Sequence, residues 1–156
     1  RTGAIERNGM ELRIPPVVQV ALAIALMAGV GQVAPAPAFH LPWLTALLAT
    51  GALLFLLAPA VSFSRARTTV DPIHPERAEK LVVAGLYRIT RNPMYVGMAL
   101  LLGAVAAWDF AWGHIAVIAL FAWWMTRFQI MPEERALETR FGEDYHVYSA
   151  SVRRWI

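Results

Sequence analysis

Apolar residues fill two long regions of this chain, and almost no charge interrupts them. No Asp, Glu, Lys or Arg occurs between Arg13 and Arg65. A run of that length exceeds a single membrane crossing, because about 20 residues span about 30 Å of hydrocarbon. It divides at the Pro- and Ala-rich segment from Pro35 to Pro42, whose helix breakers mark a turn. The pattern therefore predicts helical spans at residues 16–34 and 41–63, with Pro59 kinking or fraying the end of the second by removing a backbone donor. A second apolar region runs from Pro93 to Thr126 and carries only Asp109. It turns at Trp108-Asp109-Phe110-Ala111-Trp112-Gly113, where the tryptophans suit interfacial depth. Spans are expected there at 93–107 and 111–131, the former short for a full crossing and so tilted or sheltered by neighbours. The fold class that follows is all-α: a multi-pass transmembrane helical bundle of about four spans in two hairpins, read as one domain over residues 1–156.

Composition agrees with a lipid environment. Of the 156 residues, 58% are apolar and 16% charged, against about 45–50% and about 25% in an average soluble domain. Intrinsic disorder is excluded by that balance, and disulfide scaffolds or thiolate chemistry by the absence of cysteine. A net charge of +3 raises the question of nucleic acid, and the placement of the charge answers it. The 14 Lys and Arg fall before residue 16, in the loop 64–92 and in the tail beyond 126, with none in the two hairpin turns. An even number of spans puts those three segments on one side of the bilayer, and an excess of Lys and Arg makes that side cytoplasmic. Both termini, the loop 64–92 and the tail 132–156 are thus expected in the cytoplasm, with the basic residues serving orientation and anionic headgroups rather than nucleic acid. The first twenty residues are not expected to be a signal peptide, because the apolar stretch runs on into a hairpin.

Candidate chemistry is confined to the loop and the tail. Asn92-Pro93 reads as a helix start, with Asn capping free backbone donors and Pro at the first helical position. Gly85 reads as a turn residue and Tyr87 as an interface aromatic. In the tail, Pro132 suggests a fresh helix start whose dipole favours Glu133 and Glu134. Beyond it Leu137, Phe141, Tyr145, Tyr148 and Val152 recur at helical spacing, predicting an amphipathic C-terminal helix broken near Gly142. Taken singly, each of these residues has a structural explanation: a cap, a solvated acid, or an Arg127 that snorkels to the headgroups.

Their order is more specific than any one of them. Tyr87, Arg91, Asn92-Pro93-Met94-Tyr95, Glu133-Glu134, Phe141-Gly142 and Tyr145, set around an apolar hairpin, resemble the isoprenylcysteine carboxyl methyltransferase and phospholipid methyltransferase group of integral membrane enzymes. The resemblance covers about residues 77–155. It implies transfer of a methyl group from S-adenosylmethionine, leaving S-adenosylhomocysteine, to a lipophilic acceptor. A phospholipid amine, an isoprenylcysteine carboxylate and a small hydrophobic thiol all stay open as that acceptor. It also implies a cofactor site on the cytoplasmic side. On matching positions, the strand-like stretch Glu79, Lys80, Leu81 and Val82 would line the adenosyl part. Tyr87, Asn92, Pro93, Met94 and Tyr95 would wrap the nucleoside and methionine portions, and Glu133 would hold the amino group. Arg127 falls on the acceptor side, with Arg91 and Glu134 as the other candidate catalytic residues and Glu134 supporting Glu133 or serving as a base. Many members carry a histidine where Asn92 stands; the Asn-Pro-Met-Tyr form resembles the phosphatidylethanolamine-methylating branch, and any acid–base role of a histidine is absent here.

Elementary chemistry is compatible with that implication. A sulfonium is attracted to aromatic faces such as those of Tyr87 and Tyr95. An ammonium beside Glu133 makes a charge-assisted hydrogen bond, and free donors at the helix start near Asn92 suit a carboxylate. Methyl transfer is a displacement that needs alignment and exclusion of water more than a metal, an acid or a base. No metal is expected, since His40, His74, His114 and His146 are dispersed without ligand spacing. Self-association is left open. Two readings of other classes compete: a non-catalytic membrane scaffold that keeps the fold, and a nicotinamide-dependent membrane reductase, which would need more spans and a site for extra phosphates.

Overall fold

A computed structural model describes residues 14–33, 40–66 and 80–156, the side chains of 63–66 excepted. Among the described residues the secondary structure is helical. The helices are α1 (Pro16–Val33), α2 (Pro42–Ala66), α3 (Pro93–Trp108), α4 (Trp112–Met125), α5 (Met131–Phe141) and α6 (Glu143–Ser151). Proline opens α1, α2 and α3, where its fixed φ suits the first turn and its missing N–H is not needed. Pro59 lies inside α2 without ending it, and the helix runs on to Ala66.

Among the described residues, three helical segments are long and apolar enough to cross a membrane: Pro16–Val33, Pro42–Ser62 and Trp112–Phe141. The fourth, α3, has 16 residues, a length of about 24 Å at about 1.5 Å per residue. It is also the helix most enclosed by protein. Tyr95, Met98 and Leu102 of α3 join Met27 of α1, Val117, Phe121 and Met125 of α4, and Ile130 in one buried cluster. The helices are apolar on their outer faces too, with Leu22, Leu54, Leu57, Leu120 and Trp123 each more than half exposed. Faces of that kind are stable against lipid and costly against water. The protein is therefore an integral membrane protein built as an all-α bundle.

Two close contacts set the packing. At Gly97, a Cβ would lie 2.9 Å from Leu56 Cγ and 3.1 Å from the Ala52 carbonyl oxygen, so α3 meets the backbone of α2 where the side chain is absent. Buried His114 ties α4 to α1: Nε2 donates to the Met27 carbonyl at 2.9 Å, and Nδ1 accepts from the Ala111 N–H at 3.3 Å. At the end of the bundle where α3 finishes, His40 Nδ1 bonds the Trp108 carbonyl and the Leu41 N–H donates to the Ala107 carbonyl at 3.0 Å.

The tail departs from expectation at one junction. Pro132 does not begin a separate helix. α4 passes into a π turn at Thr126–Ile130 and straight on into α5, with the Met131 N–H donating to the Thr126 carbonyl. A proline inside a helix lacks a donor and crowds the carbonyl four residues earlier, and the wider turn just before Pro132 relieves that crowding without breaking the rod. The expected break near Gly142 is present: its φ of +52 and ψ of −120 separate α5 from α6. Beyond α6 the chain returns to the bundle, where Trp155 Nε1 donates to Thr126 Oγ1 at 3.1 Å.

Candidate functional site

Three elements converge at the end of the bundle where α1 and α3 begin and α4 finishes. The first turn of α3 supplies Tyr95, 3% exposed, and the π turn supplies Gln129, 1% exposed. The first turn of α5 supplies Glu133, a half-buried acid. The Tyr95 hydroxyl donates to Glu133 Oε1, and Gln129 Nε2 donates to the same oxygen at 2.6 Å. From α1, Gln19 Nε2 reaches Gln129 Oε1 at 3.4 Å. Tyr87, on a 3-10 turn at Gly85–Arg88, completes the wall. Burial pushes its phenol well above the usual range, and Tyr148 and Glu133 add to the rise. Residues 38 positions apart thus share one hydrogen bond, and the acid they surround is bonded by two uncharged donors.

Beside this cluster lies a charged one. Glu134 accepts from Arg154 Nε at 3.1 Å on each oxygen and from Arg154 Nη2 at 2.7 Å. Arg91 Nη1 approaches the same carboxylate at 3.3 Å, with both side chains 14% exposed. Arg91 also donates to the Tyr145 hydroxyl at 3.4 Å, and the Tyr145 phenol is pushed up to about 12, chiefly by burial. Backbone bonds lace the returning chain to the start of α3. The Arg91 N–H donates to the Arg153 carbonyl at 2.9 Å, and Thr90 Oγ1 to that of Arg154 at 3.2 Å. Tyr148 donates to the Tyr87 carbonyl at 2.8 Å, binding α6 to the same loop.

The structure corrects several expectations about individual residues. Glu134 does not support Glu133; it turns to two guanidinium groups, whose charge-assisted bonds outcompete a contact between like charges. Asn92 occupies the cap position of α3 but makes no capping bond. Its Nδ2 donates instead to the Arg154 carbonyl at 2.9 Å, an acceptor that only the folded tail supplies. Residues 80–83 are irregular rather than strand-like, because a strand needs a partner edge and no strand occurs among the described residues. Within that stretch Lys80 is exposed, Leu81 half-buried and Val82 buried, while Glu79 lies outside the described residues. Pro93 is buried and Met94 half-buried in the first turn of α3. Arg127, on the π turn, places its guanidinium 5.4 Å from the Phe128 ring centroid.

Tyr87, Tyr95 and Glu133 are thus brought together, and Arg91, Asn92 and Glu134 meet through Arg154. Sequence reasoning missed Gln129, Arg154, Thr90 and Gln19. A signal for the two glutamines existed: each is an amide in an apolar helical run, Gln19 sharing α1 with Gln32 alone, and Gln129 stands four residues before Glu133, on the same face of an ordinary helix.

A polytopic helical membrane protein with a polar cluster gathered at one end of its bundle is the class these observations define. Residues 42–144 match the phospholipid methyltransferase family, and the chain belongs to that family of membrane methyltransferases. An uncharacterised protein of Haemophilus influenzae is 36% identical over 66 residues, a match covering 40% of this chain and 100% of that protein. No solved structure matches the chain.

Proposed function

We propose that the protein transfers the methyl group of S-adenosylmethionine to a lipophilic acceptor, with the donor held at the cytoplasmic face. The observation that carries this reading is the junction of Tyr95 and Glu133. An acid set among Tyr95, Gln129 and Tyr87 joins a carboxyl group to aromatic faces, the chemistry that suits an ammonium and a sulfonium together. In this reading Glu133 takes the ammonium of the methionine portion, and Tyr87 and Tyr95 pack against the cationic part. Arg91, Glu134 and Arg154 act as a clamp that fixes the loop before α3 against the tail. Both Glu134 oxygens are bonded to guanidinium groups, so its role is positioning rather than proton abstraction. Arg127 faces the acceptor side from the π turn. When bound, S-adenosylmethionine supplies a methyl carbon already activated: the acceptor's lone pair forms the new bond while the carbon–sulfur pair leaves with sulfur as S-adenosylhomocysteine. The chain's own part is to align the two partners and keep water out, and orientation of this kind is worth about 7–11 kcal/mol.

Calorimetric titration of the purified protein with S-adenosylhomocysteine tests the site. Wild type binds, and Glu133→Ala and Tyr95→Ala weaken binding about tenfold or more, the worth of a hydrogen bond to a charged group. His40→Ala, at the other end of the bundle, leaves it unchanged. A non-catalytic scaffold is favoured by the internal partners that Glu133 and Glu134 already have; it expects no binding in wild type. Radiolabelled methyl transfer to a total lipid extract, separated by headgroup, then identifies the acceptor.

A further inference from the structure

α1 lies outside the matched residues 42–144, yet it forms one wall of a groove of about 250 Å³ against α4. Leu22 and Leu26 of α1 face Leu120, Phe121 and Trp124 of α4 across it, and Gln19 lines the same groove. Leu22 is 60% and Leu120 52% exposed, so the groove opens away from the protein core, toward lipid. Its volume is just under the about 300–1,000 Å³ of whole small-molecule sites, room for one alkyl chain.

Gln19 is unusual in this setting. It is 9% exposed, and its Nε2 donates to the Ile14 carbonyl at 2.7 Å, which fixes the orientation of the amide. Its Oε1 is fully buried and accepts no hydrogen bond. A buried amide oxygen without a donor is unfavourable, and a donor from outside the chain would relieve it.

We infer that the groove seats the tail of a single-chain alkyl amphiphile whose head carries an N–H or O–H donor, and that Gln19 Oε1 accepts that hydrogen bond. Identifying this amphiphile with the methyl acceptor rests on the reading proposed above. The geometry supports the link, since Gln19 contacts Gln129 and Gln129 contacts Glu133, so a head held at Gln19 stands one side chain from Glu133. Gln19 is then a specificity-determining residue. It favours an amine or hydroxyl head over a carboxylate, which only accepts.

Photo-crosslinking of the full chain in phosphatidylcholine nanodiscs tests this directly. The probes are 1-dodecanol and its methyl ether, each with a diazirine near the tail end. The alcohol is expected to label peptides containing residues 14–26 and 117–124 roughly two- to tenfold more than the ether, the span of one neutral hydrogen bond. Gln19→Leu equalises the two probes, and Leu120→Trp, which fills the groove from its lipid side, removes both labels from these peptides. Equal labelling in wild type, or a preference that survives Gln19→Leu, overturns the inference. None of these readouts needs a methyl donor. Loss of S-adenosylhomocysteine binding in wild type would therefore sink the methyltransferase reading alone, while undiminished methyl transfer in Leu120→Trp would remove the acceptor from the groove and leave that reading intact.

Discussion

A carboxylate bracketed by two guanidinium groups is a fastening, and Glu134 shows what it holds. Arg91 comes from the loop before α3 and Arg154 from the returning tail, so one acid joins chain segments that share no helix. Glu134→Gln is expected to destabilise the protein by about 1–3 kcal/mol, because Arg91 keeps a charge with 14% exposure and loses its counter-charge. Arg154→Ala is expected to cost about 1 kcal/mol or less, since its side chain is 38% exposed and solvent screens it. Thermal unfolding in detergent ranks the two, and a larger loss for Arg154→Ala would reverse the assignment. The phenols around this clamp respond to alkali. Tyr87, Tyr145 and Tyr148 are all raised in the folded state, Tyr145 to about 12 and each chiefly by burial. The unfolded chain therefore releases these protons first, near the ordinary value of about 10. Stability is full below pH 10 and falls as pH rises through the folded values. Melting temperatures between pH 9 and 12 should show that decline, and Tyr145→Phe should make it shallower.

Between elements, close approaches at glycine decide which helices pair. Gly97 lets α3 press on the backbone of α2 beside Ala52 and Leu56. Gly97→Ala forces those helices apart and is expected to destabilise by about 1–3 kcal/mol; adding Leu56→Ala should recover part of the loss, because the two sites share the contact. Additive losses in the double variant would show that the contact is not the cause. The π turn at Thr126–Ile130 works at the same scale. It carries α4 past Pro132 and sets Gln129 and Glu133 on the face that meets Tyr95. From sequence, Pro132 read as a helix start, since local propensity at proline favours a first turn. The continuous rod prevails because packing around Ile130 and Met125, both fully buried, holds the turn on either side of the junction.

For the whole molecule, the charge map and the chain's path make one connected claim. Lys80 lies on the loop that leads into α3, and His40 lies near the end of α3, at the opposite end of the bundle. Because the chain has no cysteine, Lys80→Cys and His40→Cys each introduce a single reactive thiol, and both positions are exposed. A membrane-impermeant maleimide is expected to reach His40→Cys from outside the cell and Lys80→Cys only once the cytoplasmic side is opened. Labelling of both from one side would refute the arrangement.

Much of the fold was legible in the residues themselves. A bilayer reads hydropathy along one dimension, so apolar runs and the breaks between them determine where helices begin and end, whatever their neighbours do. The order of Tyr87, Asn92-Pro93-Met94-Tyr95 and Glu133 determined the family in the same linear way. What the amino-acid order left open is how each helix is rotated about its own axis. Helices that are apolar on every side carry no stripe that says which face turns inward. Only packing in three dimensions could decide that Gln19 meets Gln129 across 110 positions, that Glu133 faces Tyr95, and that Glu134, one residue further on, points instead to Arg91 and Arg154.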